Sequence, residues 1–90
     1  METGQLHLSE EQAEEGSREE ILKRFGVALR VARLSAGISQ EELALRAKLD
    51  RTYVGGAERG ERNVSLVNIC RLAAALEIRP DELLRLLDRD

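Results

Sequence analysis

Apolar positions recur along this chain at helical spacing in five stretches. The first stripe is Leu22, Phe25, Leu29 and Ala32, an i, i+3, i+7, i+10 pattern. Ser17 and Glu20 form a capping box that opens this helix, and Gly37 ends it. Ser39 is an N-cap with Glu42 three residues on, so a second helix runs from about Gln40 to Ala47 and turns Leu43, Ala44 and Ala47 inward. Asp50 caps a third helix, from about Arg51 to Glu58, whose inward residues are Val54 and Ala57. After a polar loop from Gly60 to Val64, Ser65 caps a fourth helix with Leu66, Ile69, Ala73 and Leu76 on its core face. Pro80 stands in the first turn of a fifth, followed by Asp81 and Glu82, which suit the positive end of a helix. The pattern predicts an all-α fold of five helices over residues 17–90, preceded by an acidic flexible tail over residues 1–16.

The second and third helices are short and joined tightly, which is a helix-turn-helix arrangement. The third leaves Arg51, Thr52, Gly55, Gly56 and Arg59 on its outward side, a composition that fits a DNA major groove. The guanidinium of Arg51 can bond a guanine at two points, worth roughly 1–3 kcal/mol of discrimination. Thr52 can touch a thymine methyl or bond an acceptor. Tyr53 can lean on the sugar-phosphate backbone or cover the edge of the core. Two glycines inside a helix cost about 1 kcal/mol each against alanine. Their gain would be close approach to DNA, with fewer donors left to read bases and more weight on the bendability of the site. Arg59, Arg62 and Asn63 are placed to grip phosphates or enter a minor groove.

The run Gly37-Ile38-Ser39-Gln40-Glu41-Glu42-Leu43-Ala44 resembles the lambdoid repressor and Cro type of helix-turn-helix, the xenobiotic-response-element family. Asp50-Arg51-Thr52-Tyr53, Glu58-Arg59-Gly60, Asn63-Val64-Ser65-Leu66 and Leu72-Ala73 with Leu76 extend the likeness over residues 24–87. Within that family, residues 50–68 look most like restriction-modification controller proteins. The resemblance implies a compact repressor-type domain, a homodimer on a palindromic operator in double-stranded DNA, and RNA polymerase as a further partner. It implies that Gln40 binds phosphate at the start of its helix and that Glu58 pairs with Arg33 in a structural salt bridge. Lys48 stands where many relatives have a turn glycine, so a lysine must adopt a strained backbone there. An antitoxin or accessory interaction module on the same fold is the alternative assignment.

Charge sharpens this picture. The net charge of −3 hides a division: residues 1–17 carry Glu2, Glu10, Glu11, Glu14 and Glu15 with no Lys or Arg, while residues 18–90 are net +2. Arg46, Lys48, Arg51, Arg59 and Arg62 gather at the motif. Aromatic residues make up 2% of the chain, so the core must be aliphatic and thin, a condition that favours a partner subunit. Leu83, Leu84, Leu86 and Leu87 crowd round the last helix, and Leu83, Leu84 and Leu87 are therefore expected at a dimer interface.

No apolar run reaches the roughly 18 residues of a membrane span, and the start lacks the pattern of a secretory signal, so a cytoplasmic location is expected. Cys70 is the single cysteine and His7 the single histidine, which leaves no cysteine-cluster metal site and no familiar catalytic constellation. Cys70 lies in an apolar stretch and is expected to pack. No cofactor, metal or catalytic activity is expected.

Overall fold

The computed structural model describes the backbone of residues 10–88 and the side chains of residues 17–88. Among the described residues the fold is all-helical: α1 Glu10–Ala36, α2 Gln40–Ala47, α3 Arg51–Glu58, α4 Leu66–Leu76 and α5 Pro80–Leu84, with a final 3-10 turn at Arg85–Leu87. No helix among them is long and apolar enough to cross a membrane. His7 and the first nine residues of the expected tail lie outside the described residues.

Helix α1 starts at Glu10, ahead of the predicted opening at Ser17. The segment Glu10 to Glu15 is made of Glu, Gln and Ala, which are strong helix formers, and acidic residues suit the positive end of the helix. Ser17 therefore sits inside the helix. Gly37 ends it in left-handed backbone (φ 75°).

The bounds of α2 and α3 are those expected, but their caps differ. Ser39 Oγ accepts from the amide of Glu42 at 3.0 Å, whereas the Glu42 carboxylate is taken by Arg46 at 2.8 Å, so the box is only half made. Asp50 occupies the cap position of α3 without a side-chain bond. Its carbonyl alone receives the amides of Tyr53 and Val54. Between the helices Lys48 adopts φ 60°, ψ 46°, and the turn is closed by Leu49 N–H donating to Ala44 O at 2.9 Å.

The core is aliphatic. Leu29, Leu43, Val54, Leu72 and Leu83 are fully enclosed, and Phe25, Ala44, Ala47, Ala57, Val64, Ala73 and Leu76 pack round them. On α4 the expected face is rotated: Leu72 is fully buried while Leu66 is 72% exposed. At about 100° per residue, Leu66 lies roughly 70° from the direction shared by Ile69, Leu72, Ala73 and Leu76. Cys70 also faces outward, against the expectation that it packs, because it lies on the same side of α4 as Leu66.

One contact fixes how α1 crosses α3. A Cβ on Gly26 would overlap the carbonyl oxygen of Glu58 and come within 2.8 Å of that of Ala57. The two backbones therefore touch, and only glycine allows it. A glycine inside a helix costs about 1 kcal/mol against alanine, so its presence in the middle of α1 was a readable signal of close approach. The loop after α3 is tied down in the same way. Gly60 (φ 76°) rests on Lys23, with its Cβ position 3.0 Å from the Lys23 Cα.

Candidate nucleic-acid interface

The core presents the first turn of α3 to solvent beside the start of α2. Val54 and Ala57 face inward, which by helical geometry turns Arg51 and Thr52 outward, and both are exposed. Arg51 has no intramolecular bond among the described residues, so its guanidinium is free to take an acceptor.

Behind this surface is a buried clamp. Arg33 of α1 donates from Nε to Glu58 Oε2 at 2.6 Å and from Nη2 to Oε1 at 3.0 Å, a two-point pairing. Its Nη1 donates to the carbonyl of Ile38 at 3.0 Å, and Gln40 Nε2 donates to Glu58 Oε1 at 3.0 Å. The side chains of Arg33 and Glu58 are only 8% and 3% exposed. Four segments thus meet at one ion pair: the end of α1, the loop after it, the start of α2 and the end of α3. Burial pushes the Glu58 carboxyl up, but the bonds from Arg33 and Gln40 and the charges of Arg33 and Arg30 outweigh it and hold the group below its ordinary range. The bond to Glu58 raises Arg33 against the opposing effect of burial.

This clamp constrains Gln40. One amide hydrogen of its side chain is engaged by Glu58, and the amide oxygen is turned toward α3, 3.6 Å from the Cβ position of Gly55.

The two glycines of α3 are not open surface, as the sequence suggested. Both are buried. At Gly55 a Cβ would lie 3.2 Å from Arg59 Nη1, and at Gly56 a Cβ would lie 3.0 Å from Arg62 Cγ and 3.2 Å from its Nε. The donors that α3 lacks are returned from the helix end and the following loop, folded back across it. Arg62 reaches the ring of Tyr53, with Cζ 5.2 Å from the centroid. Tyr53 is half-buried against the core, and its hydroxyl accepts from Asn68 Nδ2 at 3.0 Å. Of the two sequence alternatives for Tyr53, the structure shows the core edge, and the ring face carries Arg62, a contact that neither alternative included. Asn68 was missed by sequence reading, and no local signal marks it. Arg59 also meets Glu61 at 3.1 Å, a pair about 60% exposed on both sides and of little energetic weight. Asn63 is exposed in the loop.

The residues expected at a dimer interface are not all available. Leu83 is 0% exposed within its own chain, because the last helix uses it to close the core. Leu84 and Leu87 are half-buried against that core. Exposed apolar side chains lie on α4, at Leu66, Val67 (62% exposed) and Cys70, and also on α1 at Ile21, Val27, Val31 and Leu34, on α2 at Leu45, and at Leu86 in the last turn. Among the described residues no group of His, Cys, Asp and Glu could hold a metal ion.

Comparison with known proteins follows the same lines. A family model described as helix-turn-helix matches residues 29–83. Control protein C.BamHI of Bacillus amyloliquefaciens is 49% identical over 61 residues, covering 67% of this chain and 75% of that protein. Control protein C.MunI of Mycoplasma sp is 41% identical over 68 residues, covering 74% of this chain and 92% of that protein. The crystal structure of the restriction-modification controller protein C.AhdI from Aeromonas hydrophila superimposes with a TM-score of 0.68 at 61% identity, covering 69% of this chain and 94% of that one.

Proposed function

The chain belongs to the helix-turn-helix family of DNA-binding transcription regulators, and from that premise we propose that it is a restriction-modification controller acting as a homodimer on a palindromic operator. The observation that carries this reading is the 61% identity to C.AhdI over nearly the whole of that controller. The exposure of Arg51, Thr52, Arg59, Arg62 and Asn63 on one side of the motif supports it; in this reading Arg51 and Thr52 reach base edges, Gln40 and Arg59 hold phosphate, and Arg62 and Asn63 contact DNA from the loop. Gly56 admits Arg62 to the face of α3. The protein works without catalysis or cofactor, in the cytoplasm, with RNA polymerase as the partner through which regulation is exerted.

The second copy docks on α4. This helix carries one charged residue, Arg71, in eleven, and its solvent side offers Leu66, Val67 and Cys70. A palindromic site requires that the twofold axis keep both copies of α3 on one side. Spacing of about 34 Å, one DNA turn, is what a palindrome requires.

The test is a gel shift on DNA upstream of the chain's own gene and of any neighbouring restriction or methyltransferase gene, with random-sequence competitor, alongside mass in solution. A competitor-resistant complex from a dimer is expected. Monomeric mass with weak, sequence-blind binding would favour an interaction module instead.

A further inference from the structure

The contact between Arg62 and Tyr53 has a support that does not itself face DNA. Ser65 Oγ accepts from the amide of Asn68 at 3.1 Å and fixes the first turn of α4. From that turn Asn68 Nδ2 donates to the Tyr53 hydroxyl at 3.0 Å, and both residues are half-buried. Tied at its far end, the ring offers a face to Arg62, whose Cζ at 5.2 Å lies within the roughly 6 Å reach of a cation–π contact. The stem of Arg62 meanwhile crosses Gly56, where a Cβ would press on Cγ and Nε.

We propose that Asn68 is a positioning residue for DNA binding, acting through the Tyr53 ring to hold Arg62 across Gly56 on the outward side of α3. The proposal rests on the DNA-binding reading above. An arginine on a loop loses rotamer freedom when it grips a ligand, and one already stacked and seated loses less. Asn68 therefore sets affinity without touching DNA. The missing side chain of Gly56 is the bed in which Arg62 lies.

The roles separate in a double-mutant cycle on a short duplex selected from a random-sequence pool by the wild-type protein. Asn68→Ala is expected to weaken binding about three- to tenfold, the range of one ordinary cation–π or hydrogen-bond contribution, and to have no further effect in an Arg62→Ala background. Losses that multiply in the double variant would overturn the coupling. Gly56→Ala should weaken binding similarly without lowering the melting temperature, since alanine favours the helix while displacing Arg62; a lowered melting temperature with unchanged affinity would make Gly56 a packing residue only. Tyr53 is the single tyrosine in a chain with no tryptophan, so its emission reports this ring alone. In the free protein Asn68→Ala and Arg62→Ala should each change that emission, and spectra identical to wild type would remove the contact. If the wild type selects no duplex, the DNA-binding reading fails, while the emission still decides whether Asn68 and Arg62 meet on this ring.

Discussion

Helices α3 and α4 ride on the same core and present opposite kinds of surface. α3 turns Arg51 and Thr52 outward and is overlaid by Arg59 and Arg62; α4 turns out Leu66, Val67 and Cys70. Their inner attachments differ too. α4 is held by ordinary aliphatic packing through Leu72, Ala73 and Leu76. α3 is held by a buried ion pair at its end and a backbone-on-backbone crossing at Gly26. An aliphatic contact can slide by a fraction of an ångström, but a two-point carboxylate clamp cannot without losing its bonds. The helix that must meet a rigid duplex is thus the one whose position is most narrowly fixed.

The clamp gives the largest expected effect. Arg33→Ala leaves Glu58 buried without its cation and should cost about 3–5 kcal/mol of stability in urea unfolding. A loss under about 1 kcal/mol would mean that α3 is placed by packing, as α4 is.

Gly26→Ala should come next, at about 1–3 kcal/mol, since the added methyl must push two helix backbones apart. A neutral result would show the crossing to be loose.

Arg51→Ala, by contrast, should leave the melting transition intact and cost about 1–3 kcal/mol of discrimination at one base pair per half-site. Arg59→Ala should weaken all sequences alike and reduce the salt slope by about one. If both changes act equally on specific and random DNA, reading and gripping are not divided as described.

On α4, Leu66→Asp with Val67→Asp should leave each chain folded, because both side chains face water within one chain, and should lower the melting temperature only by what dimerisation adds, a loss that vanishes at dilution. The same pair should halve the mass in sedimentation. A dimer that survives would return the interface to Leu84 and Leu87.

The pH dependence is the smallest effect. Glu58 has its carboxyl below the ordinary range in the folded state. The stability it contributes is complete above the unfolded value, about 4.5, and is lost as pH falls through the lower folded value. Glu58→Gln should flatten that part of the unfolding profile, and an unchanged profile would assign acid sensitivity to other carboxylates.

Much of this arrangement was legible in the sequence because it is local. Ser39, Ser65 and Pro80 mark helix starts by bonding or pre-setting their own backbone, and the starts of α2, α4 and α5 followed from them. Periodicity found Leu29, Leu43 and Val54, and on α4 found Ile69, Ala73 and Leu76 but took Leu66 where the core takes Leu72, a face turned by about 30°, since the two leucines are equally apolar and only the core distinguishes them. The clamp was legible by resemblance, not by spacing, as its partners are 25 residues apart. What could not be read was borrowed structure: Arg59 and Arg62 filling the places of absent side chains on Gly55 and Gly56, and Asn68 reaching across to Tyr53. Those depend on where a loop returns, which no local propensity records. The start of α1 at Glu10 rather than Ser17 rests on the helix preference of Glu, Gln and Ala, which a reading of charge alone does not register.

Two residues mark where this sequence stopped short of its stability optimum. Lys48 and Glu77 end α2 and α4 in left-handed backbone, at φ 60° and 59°, the conformation that glycine adopts without strain. They are not equivalent. A cation at the negative end of α2 is favourable and offsets part of its strain, whereas the acid at the end of α4 is unfavourable on both counts. Selection that only keeps a protein above a threshold leaves such positions uncorrected. Position 77 is therefore where thermal adaptation of this domain has the most room to move without touching either α3 or the outward side of α4.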